Sequence, residues 1–172
     1  MDAADLDDRE ARREIARRFR EDFWNTGDPA LADALIAPGC VVHGRIPLAT
    51  DFARGPEALR QLVLFYHLAF SDIAVTADQI VVEGDTAVVR WTARGRHTGD
   101  LLGFPPTHRE TVTTGIDMLR IDRGEGGEGG KIVEGWVSWD VLSLLEQLLA
   151  TASPASGDPS GAGFLSLLAR LR

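Results

Sequence analysis

Apolar residues recur at helical spacing along the first part of the chain and at alternating spacing along the middle, and that change of period divides the sequence. Residues 8 to 25 read as a helix. Ile15, Phe19 and Phe23 form one apolar stripe, Asp7 or Asp8 supplies a cap, and Asn25-Thr26-Gly27 stops it. Pro29 opens a short second helix, Pro29 to Ile36, which Pro38-Gly39 closes. A short strand, Cys40 to His43, is followed by a loop over 44–54 that holds Pro47. Gly55-Pro56-Glu57 then starts a strong helix whose apolar positions are Leu59, Leu62, Val63, Tyr66 and Phe70.

From Ile73 onward the period is two, the signature of strands with one buried face. Ile73 to Val82 is one strand, Gly84-Asp85 turns the chain, and Thr86 to Thr98 is the next. After a loop over 99–108 containing Pro105-Pro106 come the strands Arg109 to Asp122 and Lys131 to Trp139, with the Gly/Glu-rich stretch 124–130 as a hairpin tip between them. Asp140 is placed to cap a last helix, Val141 to Ala150. Residues 151–163 have a linker composition of Ala, Ser, Pro and Gly. In 164–172, Phe164, Leu167, Leu168 and Leu171 would share one face of a short helix, read either as a frayed tail or as a segment that docks on the pocket mouth or on a partner subunit. Helices followed by a long meander predict an α+β fold, with residues 1–150 as one domain. A curved antiparallel sheet packed with the N-terminal helices makes a cone around an apolar cavity, a natural small-molecule site.

Composition narrows the partners. The formal net charge of -8 argues against a nucleic-acid surface and against docking on an anionic membrane. No apolar run approaches the ~20 residues of a membrane span, and the polar, acidic N-terminus shows no signal peptide. The one cysteine, Cys40, allows no internal disulfide, which fits a cytoplasmic protein; in the run Cys40-Val41-Val42 it reads as a buried small hydrophobe. No pair among His43, His67, His97 and His108 has metal-ligand spacing, and 124–130 lacks the strand-then-helix context of a phosphate loop. Neither metal nor cofactor is therefore expected.

Three segments together carry a family resemblance: Phe23-Trp24-Asn25-Thr26-Gly27-Asp28; Gly95-Arg96-His97-Thr98-Gly99-Asp100-Leu101-Leu102-Gly103-Phe104-Pro105-Pro106-Thr107; and Gly115-Ile116-Asp117-Met118-Leu119-Arg120-Ile121 with Lys131-Ile132-Val133-Glu134-Gly135-Trp136. Over roughly residues 9 to 150 the chain resembles the SnoaL-like polyketide-cyclase or ester-cyclase family of the nuclear-transport-factor-2-like superfamily. The resemblance implies a cone-shaped α+β barrel, a homodimer formed through the sheets, and intramolecular aldol ring closure of polyketides without metal or cofactor. Such chemistry needs a base beside a carbonyl and an acid for the forming alkoxide. In ring-closing members the acid/base is an Asp directly after the Trp of the last strand, and a supporting His lies on the strand before it. Here those positions hold Val137 and Asp117.

Strand parity then sorts the candidates. Thr113, Gly115, Asp117 and Leu119 share one face of their strand, and Val133, Gly135, Val137 and Trp139 share one face of the next. Asp117 is the candidate acid/base, its alternative being a structural ion pair with Arg90, Arg94 or Arg120. His43 and His97 are candidates to orient substrate oxygens. Trp24, Tyr66, His67, Trp91, Phe104, Gly135, Val137 and Trp139 are candidate substrate contacts, with plain core packing as the alternative for the aromatics. Phe104 lies in Gly103-Phe104-Pro105-Pro106, a plausible lid or a stiff hairpin connection. The expected ligand is a small hydrophobic carbonyl compound. A non-catalytic pocket or dimerisation module is the competing class, and epoxide opening by an Asp–Arg–Asp set is a third reading.

Overall fold

A computed structural model describes residues 3–44, 53–122 and 130–150. The expected loop around Pro47, the tip over 124–129, the linker 151–163 and the helix 164–172 lie outside the described residues.

Helix α1 (Ala3–Arg18) begins earlier than the acidic pair suggested. The alanines ahead of Asp7 are strong helix formers, so Asp8 sits within the helix and faces Arg12 at 3.8 Å rather than capping it. The helix continues through a π-helical turn, Phe19–Phe23, into α2 (Trp24–Thr26). Gly27, at φ +65°, ends it in the left-handed conformation that glycine adopts without strain. Asp28 caps α3 (Pro29–Leu35) by accepting from the Ala30 N–H at 2.9 Å. Then follow β1 (Ile36–His43), β2 (Ala53–Arg54) and α4 (Gly55–Ala69), which Pro56 opens.

The meander consists of β3 (Phe70–Glu83), β4 (Thr86–His97), β5 (Glu110–Asp122) and β6 (Lys131–Trp139). Its boundaries fall within a few residues of those read from the alternation. Helix α5 (Val141–Leu149) closes the described chain, and Asp140 caps it by accepting from the Ser143 N–H. The sheet order is β2-β1-β6-β5-β4-β3. One expectation is corrected: the sheet is mixed, because β1 pairs with β6 in parallel while β3 to β6 are antiparallel. A parallel joint needs a long crossover, which α4 and the meander supply. Register shifts between Ser71 and Ala74, between Ala77 and Gln79, and between Arg120 and Ile121 bend the strands, as bulges do.

The helices cover one face of this sheet. Phe19, Phe23, Leu35, Leu59 and Val63 meet Val75, Val89, Trp91, Leu119 and Ile132 in the main core. Ala69, Phe70, Leu101, Leu144 and Leu148 form a second cluster. Strand β5 shows why one face is core: Thr111, Gly115, Asp117, Leu119 and Ile121 are buried, while Val112, Ile116 and Met118 point outward.

Candidate active site

The site begins with an anomaly of burial. In the first helical stretch Ala16, Phe19 and Phe23 turn inward as an apolar stripe should, and so does Arg20, only 3% exposed. Arg20 lies four residues after Ala16 and on the π-helical turn, so its side chain is carried into the core with its neighbours. A buried guanidinium demands a partner. Asp117, fully buried on β5, provides it: Arg20 Nη2 donates to Oδ1 at 2.7 Å, and Arg20 Nε donates to Oδ2. Trp91 Nε1 donates to the same Oδ1 at 3.1 Å. The guanidinium carbon lies 4.3 Å from the Trp91 ring centroid and 4.8 Å from that of Trp24, so two indoles hold the cation as well as the carboxylate does.

Beside this pair is a cavity of about 110 Å³. Its walls are mostly apolar: Trp24, Tyr66, Trp91, Val137 and Trp139 from the expected set, with Phe19, Val42, Leu59 and Leu62 among the rest. Arg20 is part of the wall; Asp117 is not among its lining residues and stands behind Arg20 and Trp91. The third guanidinium nitrogen, Nη1, has no hydrogen-bond partner among the described residues, and neither does the Tyr66 hydroxyl. Burial pushes the Tyr66 hydroxyl well above its ordinary range, with the Arg20 charge opposing in part, so it stays protonated at neutral pH. Trp24 Nε1 is buried with no partner among the described residues.

Asp117 and Val137 are direct cross-strand neighbours, so the carboxylate stands beside the position at which the resemblance implies an acid/base. The ion pair is real, but its cation is Arg20, not Arg90, Arg94 or Arg120. Arg90 instead faces Asp78, and Arg120 faces Glu134.

The histidines fall elsewhere. His43 is on the outer face of the sheet, because Val42 takes the inward position of β1. Its Nε2 meets Glu134 Oε1 at 2.8 Å and its ring stacks on Trp136 with centroids 5.2 Å apart. His97 is fully buried but does not line the cavity. Its Nδ1 accepts from the Thr107 N–H at 3.2 Å and lies 3.1 Å from the Thr107 hydroxyl, which ties the 98–108 connection to β4. Nδ1 is thus the unprotonated nitrogen, and burial, reinforced by His108 and opposed by Asp100, lowers the pKa below 6.5. His67 Nε2 bonds the Trp24 carbonyl at 2.9 Å and so ties α4 to the start of α2; it too is outside the cavity wall.

Phe104 packs on the second apolar cluster rather than on the cavity. Gly135 pairs with Leu119 and Val42 in the core and is likewise not a wall residue. Burial, with the Glu134 charge adding to it, raises the Cys40 thiol to about 11, which leaves it a weak nucleophile. Among the described residues no group of three His, Cys, Asp or Glu is arranged to hold a metal ion. No helix there is long and apolar enough to cross a membrane.

The residue missed from the sequence is Arg20. Its signal was present: one Arg spaced with Ala16 inside an apolar stripe, and one Asp inside the apolar face of β5.

A family model described as SnoaL-like polyketide cyclase matches residues 14–148. Among solved structures, IdmH of Streptomyces antibioticus, a candidate polyketide cyclase, is 32% identical over 78% of this chain and 94% of its own, with a TM-score of 0.63. TsrD of Streptomyces laurentii is 29% identical over 87% of this chain and 98% of its own, with a TM-score of 0.65. A candidate polyketide cyclase of Acidithiobacillus ferrooxidans is 23% identical over 83% of this chain and 96% of its own, at a TM-score of 0.70, a likeness of fold alone. None of the curated proteins matches the chain.

Proposed function

Because the chain belongs to the SnoaL-like polyketide cyclase family, we propose that it closes a ring in a small hydrophobic carbonyl compound of the polyketide type, without metal or organic cofactor. One observation carries the reading: Arg20 is fixed by a buried ion pair at the wall of a mostly apolar cavity, which Arg94 also lines, with one N–H-bearing nitrogen unengaged among the described residues. A preorganised donor in a dry site stabilises charge that develops on oxygen. Among the described residues of the wall there is no carboxylate and no imidazole. The substrate that suits such a wall is one that enolises readily, a poly-carbonyl chain folded so that its enol carbon meets a second carbonyl.

In the proposed step the enol carbon bonds to the carbonyl carbon, and the carbonyl π electrons move onto an oxygen held by Arg20 Nη1. The Tyr66 hydroxyl gives its proton to that oxygen and receives the enol proton. The product is a cyclic hydroxyketone with the same atoms as the substrate. Asp117 acts through Arg20 as a positioning residue and does not receive the carbon's proton. The test is single-turnover ring closure of an enolisable aryl diketone. The wild type should exceed buffer, and Arg20→Gln should lower the rate by about 10²-fold, the usual cost of one lost oxyanion donor. A wild-type rate equal to buffer, with the diketone bound, would leave a carrier, the reading that the absence of a wall base favours. Epoxide opening is less favoured: Asp117 and Arg20 supply two of its three groups, and the described wall offers no second carboxylate.

A homodimer through the outer face of the sheet is proposed with this function. Ile116 is 50% exposed there, beside Met118 and Val112. Sedimentation of the wild type against Ile116→Lys checks it, a monomer in both cases being the contrary result.

A further inference from the structure

Three adjacent strands place Trp91, Gly115 and Trp139 directly opposite one another, and both tryptophans line the cavity. Gly115 is not in the left-handed region, so backbone conformation does not require a glycine there. Space does. A Cβ at Gly115 would stand 2.3 Å from Trp91 Cζ2, 2.7 Å from Trp91 Cε2 and 2.8 Å from Trp139 Cβ. The Trp91 indole therefore occupies the gap that Gly115 leaves. From that gap its Nε1 reaches Asp117 Oδ1 and its ring face meets the Arg20 guanidinium.

We propose that Gly115 and Trp91 are positioning residues for Arg20: the missing side chain is the slot that seats the indole, and the seated indole fixes carboxylate and guanidinium together, so that Nη1 faces the cavity. The inference rests on the ring-closure reading of Arg20. Three contacts hold the guanidinium: Asp117 fixes its direction in plane, and the Trp91 ring, the nearer of the two indoles, fixes the plane together with Trp24. Lifting the indole by a methyl group loosens the second and removes the N–H that orients the first.

The test uses the full chain and separates this inference from the function it deepens. The first arm follows the Arg20 Nε–H resonance by NMR, whose solvent exchange reports opening of the pair. It should exchange slowly in the wild type and at least about tenfold faster in Trp91→Phe and in Gly115→Ala, as expected of a lost packing and hydrogen-bond constraint. The double variant should fall short of the two single effects combined, because the indole that Cβ displaces is already gone and only the contact with Trp139 Cβ remains. Exchange that stays slow in both single variants overturns the proposal. If Gly115→Ala does not fold, Trp91→Phe alone decides.

The second arm titrates acetophenone and ethylbenzene, a ketone and a hydrocarbon of the same shape. Trp91→Phe should weaken acetophenone about threefold or more while ethylbenzene changes less than about twofold, since only the ketone engages Nη1. Equal weakening of both marks a merely structural role and overturns the proposal. Arg20→Met controls the underlying reading: if it leaves the ketone-to-hydrocarbon ratio as in the wild type, Arg20 does not contact the oxygen, and the ring-closure mechanism fails whatever the first arm shows about the indole.

Discussion

The two faces of the sheet carry the same parts in opposite surroundings. Inside, Arg20 pairs with Asp117 and stacks on Trp91. Outside, Arg120 pairs with Glu134 at 2.8 Å, Glu134 bonds His43, and His43 stacks on Trp136. Each set has a cation, a carboxylate and an indole, set by the alternation of β5 and β6. Solvent separates them: the Asp117 side chain is fully buried, whereas the Glu134 side chain is 26% exposed and that of Arg120 is 48% exposed. Water competes for every outer contact and screens it, so the outer set has little leverage on stability. The inner set has no water to fall back on, so each member depends on the others, and its orientation is fixed enough to be used on a ligand.

The sharpest test of that contrast is removal of one carboxylate. Asp117→Ala leaves Arg20 buried and unpaired and should cost about 3–5 kcal/mol, on the order of 10 °C in Tm, read by calorimetry. A loss no larger than a surface substitution would mean that water reaches the pair. Replacing both partners, Arg20→Met with Asp117→Leu, should restore most of the stability, to within about 1–2 kcal/mol of wild type, because no orphan charge remains. That double variant should still lack ring closure, which separates what the pair does for function from what it does for the fold.

The two faces should also answer pH in different windows. His97 is buried and its folded pKa lies below 6.5, so the unfolded chain takes up the proton first. Its contribution is present above about 6.5 and is lost as pH falls from there through the folded value. Glu134 is held below its ordinary 4.5, chiefly by the hydrogen bond from His43 and also by the Arg120 charge, so its contribution is lost only as pH falls below that region. Thermal unfolding scanned from pH 7.5 to 2.5 should show an early decline that His97→Gln flattens and a later one, below about 4.5, that Glu134→Gln reduces. An early decline untouched in His97→Gln would assign it to other groups. The smallest effect belongs to His43→Ala, which should move Tm by about 2 °C or less and leave ring closure intact. A large loss of turnover there would restore His43 to the site from which the register of β1 removes it.

Much of the architecture was legible along the chain. The switch of period placed the meander within a few residues, Asp140 caps the helix it precedes, and parity groups Asp117 with its buried β5 neighbours and Val137 with Trp139 on one face of β6. The family resemblance was legible too, because it rests on short segments in order. The partner of Asp117 was not. Arg20 lies 97 residues away, and several other arginines were equally available by type. The same limit placed His43 wrongly: its position in β1 was visible, but which face of β1 is inner depends on the parallel register with β6.

The sequence by itself determined most of the elements, the residues that share a face within the meander, and the family, because each is encoded by neighbours within a few residues. Only the tertiary structure decided that a lone Arg in an apolar stripe meets a lone Asp in an apolar strand, across a gap that Gly115 leaves for an indole. A buried charge accepts few partners, and which one it finds depends on how the helix crosses the sheet, a distance in space that no local pattern records.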